Sequence, residues 1–207
     1  MTEEIAPCPH AFADEIRAFA LSEQRNPVPR GTTLFYGSSS IRLWASLGED
    51  IPNVPLLNRG FGGSTLFDCL HEMERLVFPY EPRALILYAG DNDLDQGASP
   101  QRVLELFEQF HATFRERAPD TPLAFISIKP SPVREHLVPR VREANALIDA
   151  SIGTDERTTF LRVFPLMLDS AGRPRRDLFT EDGLHMNRAG YRVWAGLIQP
   201  WLAGLAR

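Results

Sequence analysis

Lysine is almost missing from this chain: of its 22 basic residues only Lys129 is a lysine, and the rest are arginine. That bias reflects coding composition rather than chemistry. Cysteine is scarce too. Cys8 and Cys69 could form a single bridge at most and sit in no CxxC or Cys/His pattern, which excludes a disulfide scaffold and the usual zinc motifs. They read as two free thiols of a reducing compartment. No apolar run approaches the ~20 residues of a membrane span. The N-terminus, MTEEIAPCPHAFADEI, is acidic where a signal peptide requires positive charge, so the expected location is cytoplasmic. Positive charge is also in deficit, with 27 acidic residues and a net charge of −5. A global basic field for nucleic acid is therefore lacking, and no nucleic-acid partner is expected.

What remains is an ordinary globular composition, 43% hydrophobic and 24% charged over 207 residues. That length predicts one domain, residues 1–207, burying roughly 70% of the unfolded surface. Apolar periodicity alternates between two kinds. Residues 11–24 read as an N-terminal amphipathic helix packed on the domain, with Phe12, Ile16, Phe19 and Ala20 on one face. Apolar, β-forming runs follow at 32–37, 54–61, 84–90, 122–128 and 158–164. Helical stretches separate them at 65–78, 99–118 and 133–152, and a last one covers 187–205. Ser99-Pro100 marks a helix start, and Pro139 bends its helix or marks the true beginning. Five strands alternating with helices predict a three-layer α/β/α domain with a five-stranded parallel sheet. In such a sheet, ligands bind beyond the carboxyl ends of the strands.

Four polar loops occupy that edge. Gly37-Ser38-Ser39-Ser40 follows the first strand, where a hydroxyl can project at the positive end of a helix. A plain serine N-cap is the simpler reading, and a nucleotide loop is weak because no GxxxxGK[ST] is present. Residues 58–65, NRGFGGST, carry three glycines, and the amide of Gly63 could donate to an oxyanion; an ordinary turn would also use them. Arg59 could bind a substrate anion or pair with a nearby aspartate. Gly90-Asp91-Asn92-Asp93 fails as a calcium loop, because the sixth and twelfth positions counted from Asp91 are Gln96 and Arg102. It is either a polar turn or the source of an asparagine amide for an oxyanion hole. Asp182-Gly183-Leu184-His185 is the one histidine context with an acid three residues earlier in a turn; His10, His71, His111 and His136 lack it. The carboxylate could hold the ring tautomer, leaving the other nitrogen free to act as a base. Together the loops hold the parts for acyl transfer through a serine, whereas the GxSxG elbow of the α/β-hydrolases is absent.

The blocks GSSSIRLW (37–44), NRGFGGST (58–65), GDND (90–93) and DGLHMNRAGY (182–191) resemble, in order and spacing, those of the SGNH hydrolases, also called GDSL esterases and lipases. The nearest likeness is to bacterial esterases related to platelet-activating-factor acetylhydrolase. The resemblance implies a flavodoxin-like fold with Ser39 as nucleophile, His185 as base and Asp182 as its partner. It implies an oxyanion hole built from the Ser39 and Gly63 amides and the Asn92 side chain. Neither metal nor organic cofactor is implied, and the expected partner is a small-molecule ester, short-chain or acetyl. Ser38 stands where the family has aspartate, so Ser38 is the next candidate for nucleophile. ISIKPSP (126–132) resembles a stretch of close relatives and puts Lys129 at the active edge as a possible substrate contact. Trp44, Phe61 and Phe67 are candidates to line an acyl or sugar site, with core packing the better reading for Phe67. Sugar O-deacetylation or acyl transfer at the same site, and a non-catalytic flavodoxin-like anion-binding module, are the alternatives.

Overall fold

The computed structural model describes residues 12–205, so Cys8, His10 and the first part of the N-terminal segment lie outside it. The five expected strands are present as β1 (Thr33–Gly37), β2 (Leu56–Gly60), β3 (Ala84–Tyr88), β4 (Leu123–Ile126) and β5 (Thr158–Leu161). All neighbouring pairs are parallel, in the order β2-β1-β3-β4-β5. The chain runs outward from β1 to β2 and then back across to β3. The crevice between the ends of β1 and β3 is therefore the switch point at which such sheets bind ligands.

Period-two alternation assigns each strand residue to one of two cores. Leu34 and Tyr36, Leu85 and Leu87, and Leu123 and Phe125 face one side. Phe35, Ile86, Tyr88, Ala124 and Ile126 face the other. The first face is covered by α1 (Ala13–Arg25), α4 (Leu66–His71), α5 (Met73–Leu76), α7 (Pro100–Arg117) and α8 (Val138–Ile152). The second is covered by α2 (Ser39–Arg42), α3 (Leu47–Asp50) and α9 (Arg188–Leu205). Buried side chains of this kind contribute about 1.5–3 kcal/mol each, so the sheet is a rigid platform for its loops.

The helices begin and end largely where local chemistry directs. Ser99 caps α7, accepting from the Arg102 amide at 3.1 Å, with Pro100 at the first helical position. Pro139 lies in the first turn of α8, so it marks that helix's start rather than a bend, and the segment before it, Pro132–Leu137, is a 3-10 helix. The single helix expected over 65–78 is instead α4, α5 and a 3-10 turn at Phe78–Tyr80. Residues Asp91–Asp95, readable as a polar turn, form a short helix, α6.

Candidate active site

Each of the four loops is shaped by contacts that its own residues make. After β1 the backbone turns sharply at Gly37, whose φ is +129° and where a Cβ would stand 1.8 Å from the Tyr88 carbonyl oxygen. Only glycine lets β1 lie this close to β3 there. Ser38 donates its amide to that same carbonyl, and its hydroxyl is buried without a hydrogen-bond partner among the described residues. Ser40 is buried as well, and its carbonyl accepts from the Tyr191 hydroxyl at 3.0 Å. Of the three adjacent serines, Ser39 alone escapes full burial. It begins α2, so its amide has no carbonyl within the helix to donate to.

The Asp182–His185 loop reaches Ser39 from the far end of the chain. His185 Nε2 lies 3.2 Å from Ser39 Oγ, and His185 Nδ1 lies 2.6 Å from Asp182 Oδ2. A carboxylate only accepts, so Nδ1 carries the proton and Nε2 is left as an acceptor for the serine hydroxyl. The other carboxylate oxygen, Asp182 Oδ1, accepts from the amides of Leu184 at 2.8 Å and His185 at 2.9 Å and from the Thr180 hydroxyl at 2.8 Å. Partial burial pushes the Asp182 carboxyl up, but these donors and the His185 ring outweigh it and hold the group well below the usual carboxylate range.

The two remaining loops flank Ser39. Gly63 is exposed, with nothing within 4 Å of where a Cβ would stand. Its neighbour Gly62 is tied down by Glu15 of α1, which accepts the Gly62 amide at 2.6 Å and pairs with Arg42 of α2 at 2.6 Å. Asn92, in α6, donates from Nδ2 to the Ser64 carbonyl at 3.0 Å and accepts at Oδ1 from Arg134 at 3.1 Å. This bond joins the Asn92 loop to the Gly63 loop. Asp93 accepts the Leu66 amide at the start of α4 through both carboxylate oxygens, at 3.1 and 3.0 Å. Burial pushes the Asp93 carboxyl up to about 7, helped by the charges of Asp91 and Asp68 and opposed by the Leu66 amide.

The structure thus brings together Ser39, His185 and Asp182, with Asn92 and Gly63 on loops joined beside them. Three other expectations need correction. Lys129 is only 2% exposed and donates to Asp91 Oδ2 at 3.0 Å, so it is an interior ion pair rather than a group at the substrate's edge. Arg59 is buried and pairs with Glu23 rather than with an aspartate. Alternation along β2 points it under α1, where its guanidinium lies between the Phe19 and Tyr80 rings and bonds Glu23. Trp44 and Phe61 are core residues: Trp44 stacks on Tyr191 at 4.9 Å and donates to Asp50, and Phe61 packs on Tyr36 and Phe12. Phe67 is partly buried against the core and stacks on His71. Among the described residues no group of three or more His, Cys, Asp or Glu is arranged to hold a metal ion, and no helix is long and apolar enough to cross a membrane.

Reading the sequence missed the residues that hold the site in place. Asn58 donates to the Ile41 carbonyl at 2.7 Å and Tyr191 braces Ser40, and both fall inside blocks already noted for other reasons. Glu15 and Arg134 carried no local signal at all, because each acts across a long stretch of chain.

This arrangement of a serine, a histidine and an acid, contributed by the ends of a flavodoxin-like sheet, coincides with a family match. Residues 30–193 match the model of the GDSL-like lipase/acylhydrolase family. The chain belongs to this family. As a GDSL-like acylhydrolase it is a carboxylic-ester hydrolase on a five-stranded parallel sheet. The fold is shared with a protein from Streptococcus pneumonia bearing the name platelet activating factor, at 20% identity, 92% coverage of both chains and a TM-score of 0.80. It is shared with a GDSL-like lipase from Bacteroides thetaiotaomicron, at 17% identity, 91% and 97% coverage and a TM-score of 0.78. A carbohydrate esterase family 3 protein from Talaromyces cellulolyticus aligns at 18% identity, 85% and 98% coverage and a TM-score of 0.66. At these identities the likeness is one of fold. No curated protein matches the chain. In this GDSL-like protein α1 precedes the family-matched stretch, yet it supplies Glu15 to the glycine loop.

Proposed function

We propose that the protein hydrolyses short-chain or acetyl esters through an acyl-enzyme on Ser39. The observation that carries this reading is the relay from Ser39 Oγ through the two nitrogens of His185 to Asp182, at 3.2 and 2.6 Å. His185 Nε2 takes the hydroxyl proton as Ser39 Oγ attacks the ester carbonyl. Asp182 stays ionised and stabilises the imidazolium that forms. The Ser39 and Gly63 amides and the Asn92 carboxamide donate to the developing oxyanion. When the tetrahedral intermediate collapses, the carbon–oxygen bond to the alcohol breaks and His185 returns its proton to the departing alkoxide. Water, deprotonated by His185, then attacks the acyl carbon; the bond to Ser39 Oγ breaks, His185 returns its proton to Ser39 Oγ, and the acid is released. A short acyl group suits a site for which two of the candidate lining aromatics, Trp44 and Phe61, are committed to the core. Neutral esters suit a chain of net charge −5 better than polyanionic substrates do.

A second reading is removal of an acetyl group from a sugar, or its transfer, by the same machinery; the fold shared with the carbohydrate esterase from Talaromyces cellulolyticus favours including it. A panel of p-nitrophenyl esters of increasing acyl length, together with acetylated sugars, run on wild type and Ser39→Ala, tests both readings. The expected result is turnover of the shortest esters or acetylated sugars by wild type, reduced at least ~10⁴-fold in Ser39→Ala. A Ser39→Ala protein that stays folded and fully active removes the assignment.

A further inference from the structure

Asn92 has to present an N–H, not its oxygen, to a substrate oxyanion, and a carboxamide can face either way. Arg134 contributes to that choice. It lies in the 3-10 segment Pro132–Leu137, with φ −112° and ψ 30° outside the helical range, and its side chain is 14% exposed. Its guanidinium donates to Asn92 Oδ1 at 3.1 Å, to Asp95 Oδ2 at 2.7 Å and, at 3.4 Å, to Asp91 Oδ2. A guanidinium has donors only, so it pairs with the oxygen of the amide, which accepts, and opposes a flipped amide. Asn92 Nδ2 spends one hydrogen on the Ser64 carbonyl, which leaves the second for the substrate. A cation on the amide oxygen also draws electron density from the nitrogen, which strengthens the remaining N–H as a donor.

The residue before it ties down the other half of the site. The Val133 amide donates to the Gly183 carbonyl at 3.1 Å, inside the turn that carries Asp182 and His185. Two consecutive residues therefore bridge the Asn92 loop and the Asp182–His185 loop. Asp91, the anion under Arg134, is itself held by Lys129, so the brace is anchored in the interior by the chain's one lysine.

We propose that Arg134 is a positioning residue for the esterase reaction: it orients and polarises the Asn92 carboxamide while its segment braces the Asp182–His185 loop. This rests on the reading of Asn92 as an oxyanion donor. The test is a double-mutant cycle on a short p-nitrophenyl ester, with Asn92→Ala, Arg134→Ala and the double variant, plus Arg134→Lys, each checked for an intact thermal transition. Losing the donor itself is expected to lower kcat by about 10²–10³-fold. Arg134→Ala should lower kcat about 10-fold with KM within about twofold, and in the Asn92→Ala background it should cost less than about twofold more. Arg134→Lys, which keeps a cation donor, should recover part of the loss. If Asn92→Ala is impaired and the Arg134→Ala loss persists in full on top of it, or if Arg134→Ala alone has wild-type kcat, the proposal is overturned and the Asn92 reading stands. If Asn92→Ala keeps wild-type kcat, the oxyanion reading itself fails and takes the proposal with it.

Discussion

Two hydroxyl–histidine–aspartate groups lie at opposite ends of this sheet, and they are built differently. At the carboxyl edge, Ser39 and Asp182 meet different nitrogens of His185. At the amino edge, where β5 begins, His111 Nε2 lies 2.9 Å from Asp155 Oδ2 and 3.0 Å from Thr158 Oγ1, so one nitrogen serves both partners. There the Thr158 hydroxyl donates directly to Asp155 at 2.6 Å, and Arg115 donates to Asp155 at 2.8 Å and to Thr158 at 2.7 Å. Thr158 is buried, and Arg115 also holds the Thr121 and Arg157 carbonyls. The first group is a relay with an open end toward solvent. The second is a closed knot that fastens the end of α7 to the start of β5. The residue types are nearly the same, so the chemistry lies in which atoms face which and in what can reach them.

The largest expected contrast is in turnover. His185→Ala should lower kcat on a short p-nitrophenyl ester by at least about 10⁴-fold, while His111→Ala stays within about twofold of wild type. An inactive but folded His111→Ala would erase the distinction between the two groups.

A second contrast is in how stability depends on pH. The Asp93 carboxyl, beside the candidate oxyanion loops, is pushed up to about 7. An acid raised on folding stabilises the native state while protonated, and that stability is lost as pH rises from the unfolded value toward the folded one. Asp93 should therefore contribute a fall of up to about 1.4 kcal/mol per pH unit between about 4 and about 7, which Asp93→Asn removes. Urea melts with the same slope in both proteins would show that Asp93 is not responsible.

In the knot the sign reverses. Burial pushes Asp155 up, but Thr158, the Arg157 amide, His111 and Arg115 together hold it well below the usual carboxylate range. Its stabilisation is present above about pH 4 and lost as pH falls further. Asp155→Asn should cost about 1–2 kcal/mol at pH 7, with the difference from wild type shrinking in acid and esterase activity unchanged. A penalty that stays constant into acid would mean that packing, not charge, holds the knot.

These two regions also differ in how far a reader of the sequence can see them. The parallel sheet was legible because buried strands read as short apolar runs, and ALILYAG and PLAFISI need no partner to be recognised. The Asp182–His185 pair was legible because three residues in a turn bring acid and ring together locally. The 65–78 break and the short helix Asp91–Asp95 were not, since segments of four to six residues carry too little periodicity. His111 and Asp155 are 44 residues apart, and nothing in either neighbourhood announces the other. The same holds for Glu15 at Gly62 and Arg134 at Asn92.

By itself the sequence determined the alternation of strands and helices, the four polar loops at the strand ends and the family to which they belong. Each of these is a local pattern, written in residue types a few positions apart. Only the tertiary structure decided which of three adjacent serines is left partly exposed, that the lone lysine is an interior ion pair, and that Trp44 and Phe61 belong to the core. It also decided which way the Asn92 amide faces. Burial and hydrogen-bond direction are set by neighbours from distant parts of the chain, and those neighbours meet only when the sheet has assembled.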